Sequence, residues 1–331
     1  MKIIKNLGGN YSDCIVTYFN YEDYAHKYKD QEGTCLSVGY QCLWNERVHK
    51  YIESFERRMF FNGEHPCSYT QDLKFGTRTS GVDNVFTDIY TICPYTAEWL
   101  NNKYNDGNKR FKLCLFPIDK KNVLLYNPNE KEYDAIFYGS VCGKTHERII
   151  DEISSFNYNF ATYGVDYWHP NEKVDIDSLA SKVTKTNIST DEKWDILSKT
   201  KVVPIVNHLF LHDEHIKNIK QYDGWQDNKA FSHIDEKIAC QLKPRIVEAA
   251  LFKMLMLVKK DPWNAIEFFY EPEKEFLYYE DESELPDMIR EITNNWEKYK
   301  FIVDNAYERA INNYTTEAVL DTMMRNEEVK R

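Results

Sequence analysis

The sequence predicts an α/β protein made of two consecutive layers of mainly parallel sheet. Two observations predict it. Apolar, strand-like runs alternate with short helical segments through the first third of the chain, a pattern that builds parallel layers. The stretch 117–131, "PIDKKNVLLYNPNEK", then breaks the pattern with prolines, asparagines and charges, and the alternation restarts beyond it. With 331 residues the chain accommodates two domains of ordinary size, expected over 1–125 and 126–331, with terminal helices able to cross back to the first.

Taken in order, "CIVTYF" (14–19), "TCLSVGY" (34–40), "RRMFFNG" (57–63), "DIYTICPY" (88–95) and "RFKLCLFPID" (110–119) read as strands. "NERVHKYIESF" (45–55) and "TAEWLNNKY" (96–104) read as helices between them. After the break come a strand (133–140), a helix (146–156) and a strand (158–164), then a long polar stretch over 165–199. "KVVPIVNHLFL" (201–211) returns to strand-like packing, and "KPRIVEAALFKMLMLVKKD" (243–261) reads as a helix running into a strand. "KEFLYYEDESEL" (274–285) is a strand followed by a helix start, where Asp281 and Glu284 have capping-box spacing. Apolar residues at 285, 288, 289, 292, 296, 299 and 302 keep helical spacing, and a further helix covers the last 25 residues.

Hydrophobic residues make up 42% and aromatics 15%, enough for a packed core. The net charge of −11 argues against a protein whose main task is gripping nucleic acid. The start, "MKIIKNLGGNYSD", lacks the apolar stretch of a signal peptide, and no run approaches a membrane span, so a cytoplasmic protein is expected. The eight cysteines form no C-x-x-C pair and no zinc spacing, and they read as buried free thiols.

"FYGSVCGKTHERII" (137–150) passes from strand through glycine turn to helix and imitates a triphosphate loop. That loop needs four residues between its first glycine and Gly-Lys-Thr, whereas Gly139 and Gly143 enclose three. What survives is a generic anion site, made of backbone N–H groups and a helix N-terminus beside Lys144, His146 and Arg148. An ordinary strand-to-helix turn explains the same residues equally well.

The region 243–284 is more informative. Arg245 and Glu248 stand three apart and share a helix face. A carboxylate there can accept both ribose hydroxyls, and a guanidinium can meet a base carbonyl or a phosphate.

The segment "KPRIVEAA", the apolar strand after it, the Pro-containing loop and "EFFYEPEKEF" together resemble the C-terminal domain of GT-B glycosyltransferases. The likeness is greatest to the spore-maturation-protein-B-like group, and more distantly to phage DNA β-glucosyltransferase. It extends back through "YDAIFYGSVCGKTHERII" and covers about 133–320. The resemblance implies a GT-B fold, two Rossmann-like domains with parallel sheets facing across a cleft, and nucleotide-sugar-dependent glycosyl transfer. It implies that Glu248 holds the ribose and Arg245 the nucleotide, with Lys243 beside them. Gly139, Ser140, Lys144 and His146 would surround the diphosphate. It implies no metal and no other cofactor, with a nucleotide-sugar donor such as a UDP- or GDP-sugar and a saccharide acceptor. The paired glutamates of many retaining members, E-x₇-E, are absent because residue 240 is cysteine, and this favours inversion.

An inverting enzyme needs a base. "RRMFFNGEHPC" places Glu64 and His65 on the loop after a strand, where a general base belongs, with Glu64 the first choice and His65 the second. Asp88 is a weaker candidate. "HLFLHDEH" (208–215) matches no zincin spacing and reads as a loop lining the donor site. Trp168 and His169 read as core or base-contacting residues. Two other functions fit the same blocks: glycosylation of hydroxymethylated bases in DNA, with nucleic acid as partner, and a non-catalytic nucleotide- or glycan-binding module.

Overall fold

The computed structural model describes residues 1–5, 24–38, 46–62, 85–104, 109–139, 141, 143–156, 158–162, 182, 185–186 and 188–329. Its strands are β1 (Lys2–Lys5), β2 (Thr34–Val38), β3 (Arg57–Asn62), β4 (Asp88–Thr91), β5 (Phe111–Leu113), β6 (Tyr133–Tyr138), β7 (Tyr158–Thr162), β8 (Lys185–Thr186), β9 (Thr200–Ile205), β10 (His208–Phe210), β11 (Ile238–Cys240), β12 (Leu255–Lys259) and β13 (Leu277–Tyr279). The longer helices are α1 (Glu46–Glu53), α2 (Pro94–Tyr104), α3 (Lys144–Ile153), α4 (Thr190–Ser198), α5 (Asp213–Lys220), α6 (Arg245–Leu251), α7 (Leu285–Asn294), α8 (Trp296–Asn313) and α9 (Thr316–Met324). The predicted strand at 14–19 lies outside the described residues.

The chain forms two compact units: residues 1–119, 213–242 and 313–331 make the first, and 120–212 with 243–312 the second. The first holds a five-stranded sheet in the order β1-β2-β3-β4-β5. Every pairing is parallel, with Leu36 opposite Met59 and Phe60 opposite Ile89. Leu36, Phe60, Ile89 and Phe111 on β2 to β5 are buried, as a parallel sheet covered on both faces requires. Phe60, Phe86, Ile89, Trp99, Leu100 and Phe111 share one core. The Asn101 side chain ties α2 to β5, donating to the Phe111 carbonyl at 2.7 Å and accepting from its N–H at 3.0 Å.

Two later segments complete this unit. The Trp99 indole N–H donates to Gly224 O at 3.0 Å, and Asn228 Nδ2 donates to Thr96 Oγ1 at 3.2 Å, so 213–242 packs on α2. At the end of α9, the carbonyls of Met323 and Met324 accept from Arg57 at 2.6 and 2.8 Å.

The second unit holds a six-stranded sheet in the order β13-β12-β9-β6-β7-β8, again parallel at every pairing. α3 buries Ile149, Ile150 and Ile153, and α7 buries Leu285, Ile289 and Ile292, in one core with Phe137, Val202 and Leu257. The Asp281–Glu284 capping box forms. The helical pattern from Leu285 onward is not one helix. It breaks at Asn295, whose backbone (φ −118°, ψ 34°) leaves the helical region, and α8 begins at Trp296.

Candidate functional site

In a parallel α/β sheet, ligands collect at the C-terminal ends of the strands. At that edge of the second sheet β6 runs into Gly139, with φ +105°. A Cβ placed there would lie 2.5 Å from Arg245 Nη2. The missing side chain is therefore what lets Arg245 lie against the turn, and the backbone angle is one that L side chains rarely adopt. The Arg245 guanidinium sits 5.1 Å from the centre of the Phe137 ring and 4.9 Å from that of Tyr138. The segments around 137 and 245, more than a hundred residues apart in sequence, thus meet as one constellation.

Arg245 opens α6, and Glu248 follows one turn later with its side chain 3% exposed. Its Oε1 accepts from Lys193 Nζ at 2.5 Å, and that lysine is 5% exposed. Lys193 Nζ also stands 5.4 Å from the centre of the Tyr138 ring. One tyrosine ring therefore lies within cation–π range of both Arg245 and Lys193.

Sequence reasoning missed Lys193, because it falls inside the polar stretch 165–199. A local signal was present: Ser189 and Glu192 have capping-box spacing, and Ser189 Oγ accepts from the Glu192 N–H at 3.2 Å at the start of α4. Lys131 was missed too. Its ammonium donates to Ser198 O, at the end of α4, and to Phe252 O, just past α6, both at 2.9 Å. It thereby holds together the ends of the two helices that carry Lys193 and Glu248. Burial, with Lys253 nearby, brings its pKa down to about 7.

The anion-site residues divide. Lys144 is half exposed at the first position of α3, where it pairs with Glu147 at 2.6 Å. His146 is buried, its ring 5.1 Å from Phe137 and 5.8 Å from Phe210, in the manner of a core aromatic. Ser140, Glu64, His65, Trp168 and His169 lie outside the described residues.

Beyond β9 the edge carries Asn207 and His208, both buried. Burial, and then the charges of Lys243 and Lys259, push the His208 pKa down to about 3, so its imidazole is neutral at ordinary pH. Lys243 itself is half-buried next to Pro244. Lys259 pairs with Glu282 at 2.8 Å. Lys193 and Lys259 are each offset by a carboxylate, and Lys243 and Arg245 give this edge an excess of positive charge suited to an anionic ligand. Among the described residues, no three His, Cys, Asp or Glu side chains are grouped to share a metal ion.

Asp88 belongs to the first unit, where it opens β4. It is buried, accepting from Lys112 at 2.7 Å and Arg57 at 3.2 Å. Burial opposes its ionisation, but the Lys112 hydrogen bond and the two positive charges outweigh it and hold its pKa below the ordinary value. A carboxylate so paired is a structural ion and a poor proton acceptor, which removes the reading of Asp88 as a base.

The family model described as "Glycosyl transferase-like" matches residues 144–325, more than half of the chain. No curated protein matches it. Among solved structures, the Anabaena protein Alr3699/HepE, in complex with UDP and glucose, aligns with a TM-score of 0.54 at 11% identity over 97% of this chain and 83% of its own. A glycosyltransferase from Rickettsia africae aligns at 0.52, 11% identical over 97% and 83%. Sucrose-phosphate synthase from Thermosynechococcus elongatus aligns at 0.51, 12% identical over 93% and 76%. The fold is that of the GT-B glycosyltransferases.

Proposed function

Because this chain belongs to the glycosyl transferase-like family, we propose that it moves a sugar from a nucleotide-sugar donor to a hydroxyl of a saccharide acceptor. The observation that carries this reading is the meeting of Arg245, one turn from Glu248 on α6, with the Gly139 turn at the C-terminal edge of the second sheet.

In this reading Glu248 accepts hydrogen bonds from the ribose diol. Arg245, Lys243 and Lys144, with the backbone of Gly139 and Ser140, meet the diphosphate. The reaction is inverting. A base, Glu64 or His65, takes the proton of the acceptor hydroxyl as its oxygen attacks the anomeric carbon. The bond from that carbon to the diphosphate oxygen breaks, and the nucleoside diphosphate leaves with the electron pair. Lys144, Lys243 and Arg245 stabilise the growing charge on the leaving group, which is where such groups contribute most to rate. Because preorganised cations meet that charge, no metal ion is assigned a part.

The test is a thermal-shift panel with UDP, GDP, CMP, ADP and ATP, each with and without magnesium, on wild type and Glu248→Ala. A ligand at a hundredfold excess over its Kd adds about 2.7 kcal/mol of stability. A nucleoside diphosphate that stabilises wild type without magnesium, but not the variant, supports the site. Stabilisation by magnesium-ATP alone, or by nothing, sinks it. UDP is the first to try, since the Anabaena protein was solved with it.

A further inference from the structure

We infer that Lys193 is a positioning residue for Glu248: it holds one carboxylate oxygen and so turns the other toward the ribose diol. This rests on the donor-site reading above. The geometry is specific. Lys193 and Glu248 are 5% and 3% exposed, and the lysine ammonium donates to Glu248 Oε1 at 2.5 Å, an ion pair closed off from solvent. Among the described residues, Lys193 is the partner of Oε1, and no hydrogen bond reaches Oε2. Half of the carboxylate is thus committed to the protein and half is left to accept.

The frame behind the pair is stiff. Lys193 sits mid-way along α4, whose start is capped by Ser189, and Glu248 sits on α6. Lys131 joins the far ends of both helices. Two groups of the described residues face the pair. Arg245 lies on the same helix as Glu248, and the Tyr138 ring lies against Lys193 from β6. A buried carboxylate without its ammonium would rotate toward Arg245, and it would then stop accepting from a diol.

A role confined to folding would weaken every ligand alike. A positioning role weakens only those that carry the diol. The experiment therefore compares Kd for UDP, GDP, CDP and ADP on wild type, and then pairs the tightest binder with its 2′,3′-dideoxy form. Wild type is expected to prefer the ribose form by about tenfold or more, as a hydrogen bond to a charged acceptor provides. In Lys193→Met that preference falls to within about twofold, while the dideoxy nucleotide binds as it does to wild type.

Equal weakening of both forms would show that Lys193 touches the diphosphate or serves folding alone, and an unchanged preference would show that Glu248 needs no help; either overturns the inference. A wild type that binds no nucleotide, or has no ribose preference, fails the donor-site reading itself and is distinguishable from these. Lys193→Met leaves a buried charge and could unfold, so Glu248→Gln and Lys193→Met/Glu248→Gln are measured beside it. Lys193 acting only through Glu248 gives these two the same Kd values within about twofold. A further loss in the double variant overturns the inference without reference to the single one.

Discussion

Gly139 lies under Arg245: a side chain at residue 139 would place its first carbon 2.5 Å from the guanidinium, and the backbone there already stands at φ +105°. The turn after β6 and the residue that opens α6 are sterically interlocked, so neither can change alone.

Gly139→Ala should therefore act twice. The strained backbone angle reduces stability by about 1–3 kcal/mol. The displaced guanidinium also weakens nucleotide binding by about tenfold. Thermal denaturation measures the first and titration calorimetry with UDP the second. An alanine variant with unchanged midpoint and affinity would mean that Arg245 does not depend on this turn.

Lys131 predicts a pH dependence. Its pKa in the folded chain is about 7, well below the ordinary lysine value of 10.5, because burial disfavours the charge. Between these two values the unfolded chain holds a proton that the folded chain has released, so stability from this group rises with pH and falls as pH drops toward 7. Wild type should gain on Lys131→Met by about 2 kcal/mol between pH 7.5 and 9.5. Urea denaturation at the two pH values measures the difference, and parallel behaviour of the two proteins would refute it.

Asp88 predicts a stability effect without a chemical one. Asp88→Asn leaves the buried Lys112 without its carboxylate, and breaking a buried pair in this way costs about 3–5 kcal/mol. Arg57 also loses one partner, although it keeps the α9 carbonyls. Denaturant titration should show the loss, while the folded variant retains wild-type nucleotide affinity. Full stability combined with loss of glycosyl transfer would return Asp88 to the list of bases.

The sequence by itself determined the layers. β2 to β7, β9, β12 and β13 fall on runs rich in apolar, β-branched and aromatic residues, because strands of a parallel sheet covered on both faces bury most of their side chains. It also determined the Asp281–Glu284 cap and the common face of Arg245 and Glu248, since both depend on residues within one turn of each other. Tertiary structure alone decided the rest. That 213–242 packs with the first unit rests on Trp99 reaching Gly224 and Asn228 reaching Thr96, single hydrogen bonds across more than a hundred residues that leave no periodic trace. His146 and Lys144, two residues apart, share a local signal, yet α3 turns one into the core and leaves the other half exposed. Lys193 came from a stretch read as polar connection, and only folding brought its ammonium onto Glu248. Local pattern fixes which residues share a face. Which faces meet is decided by long-range packing, where one buried charge selects its partner because leaving it unpaired costs several kcal/mol.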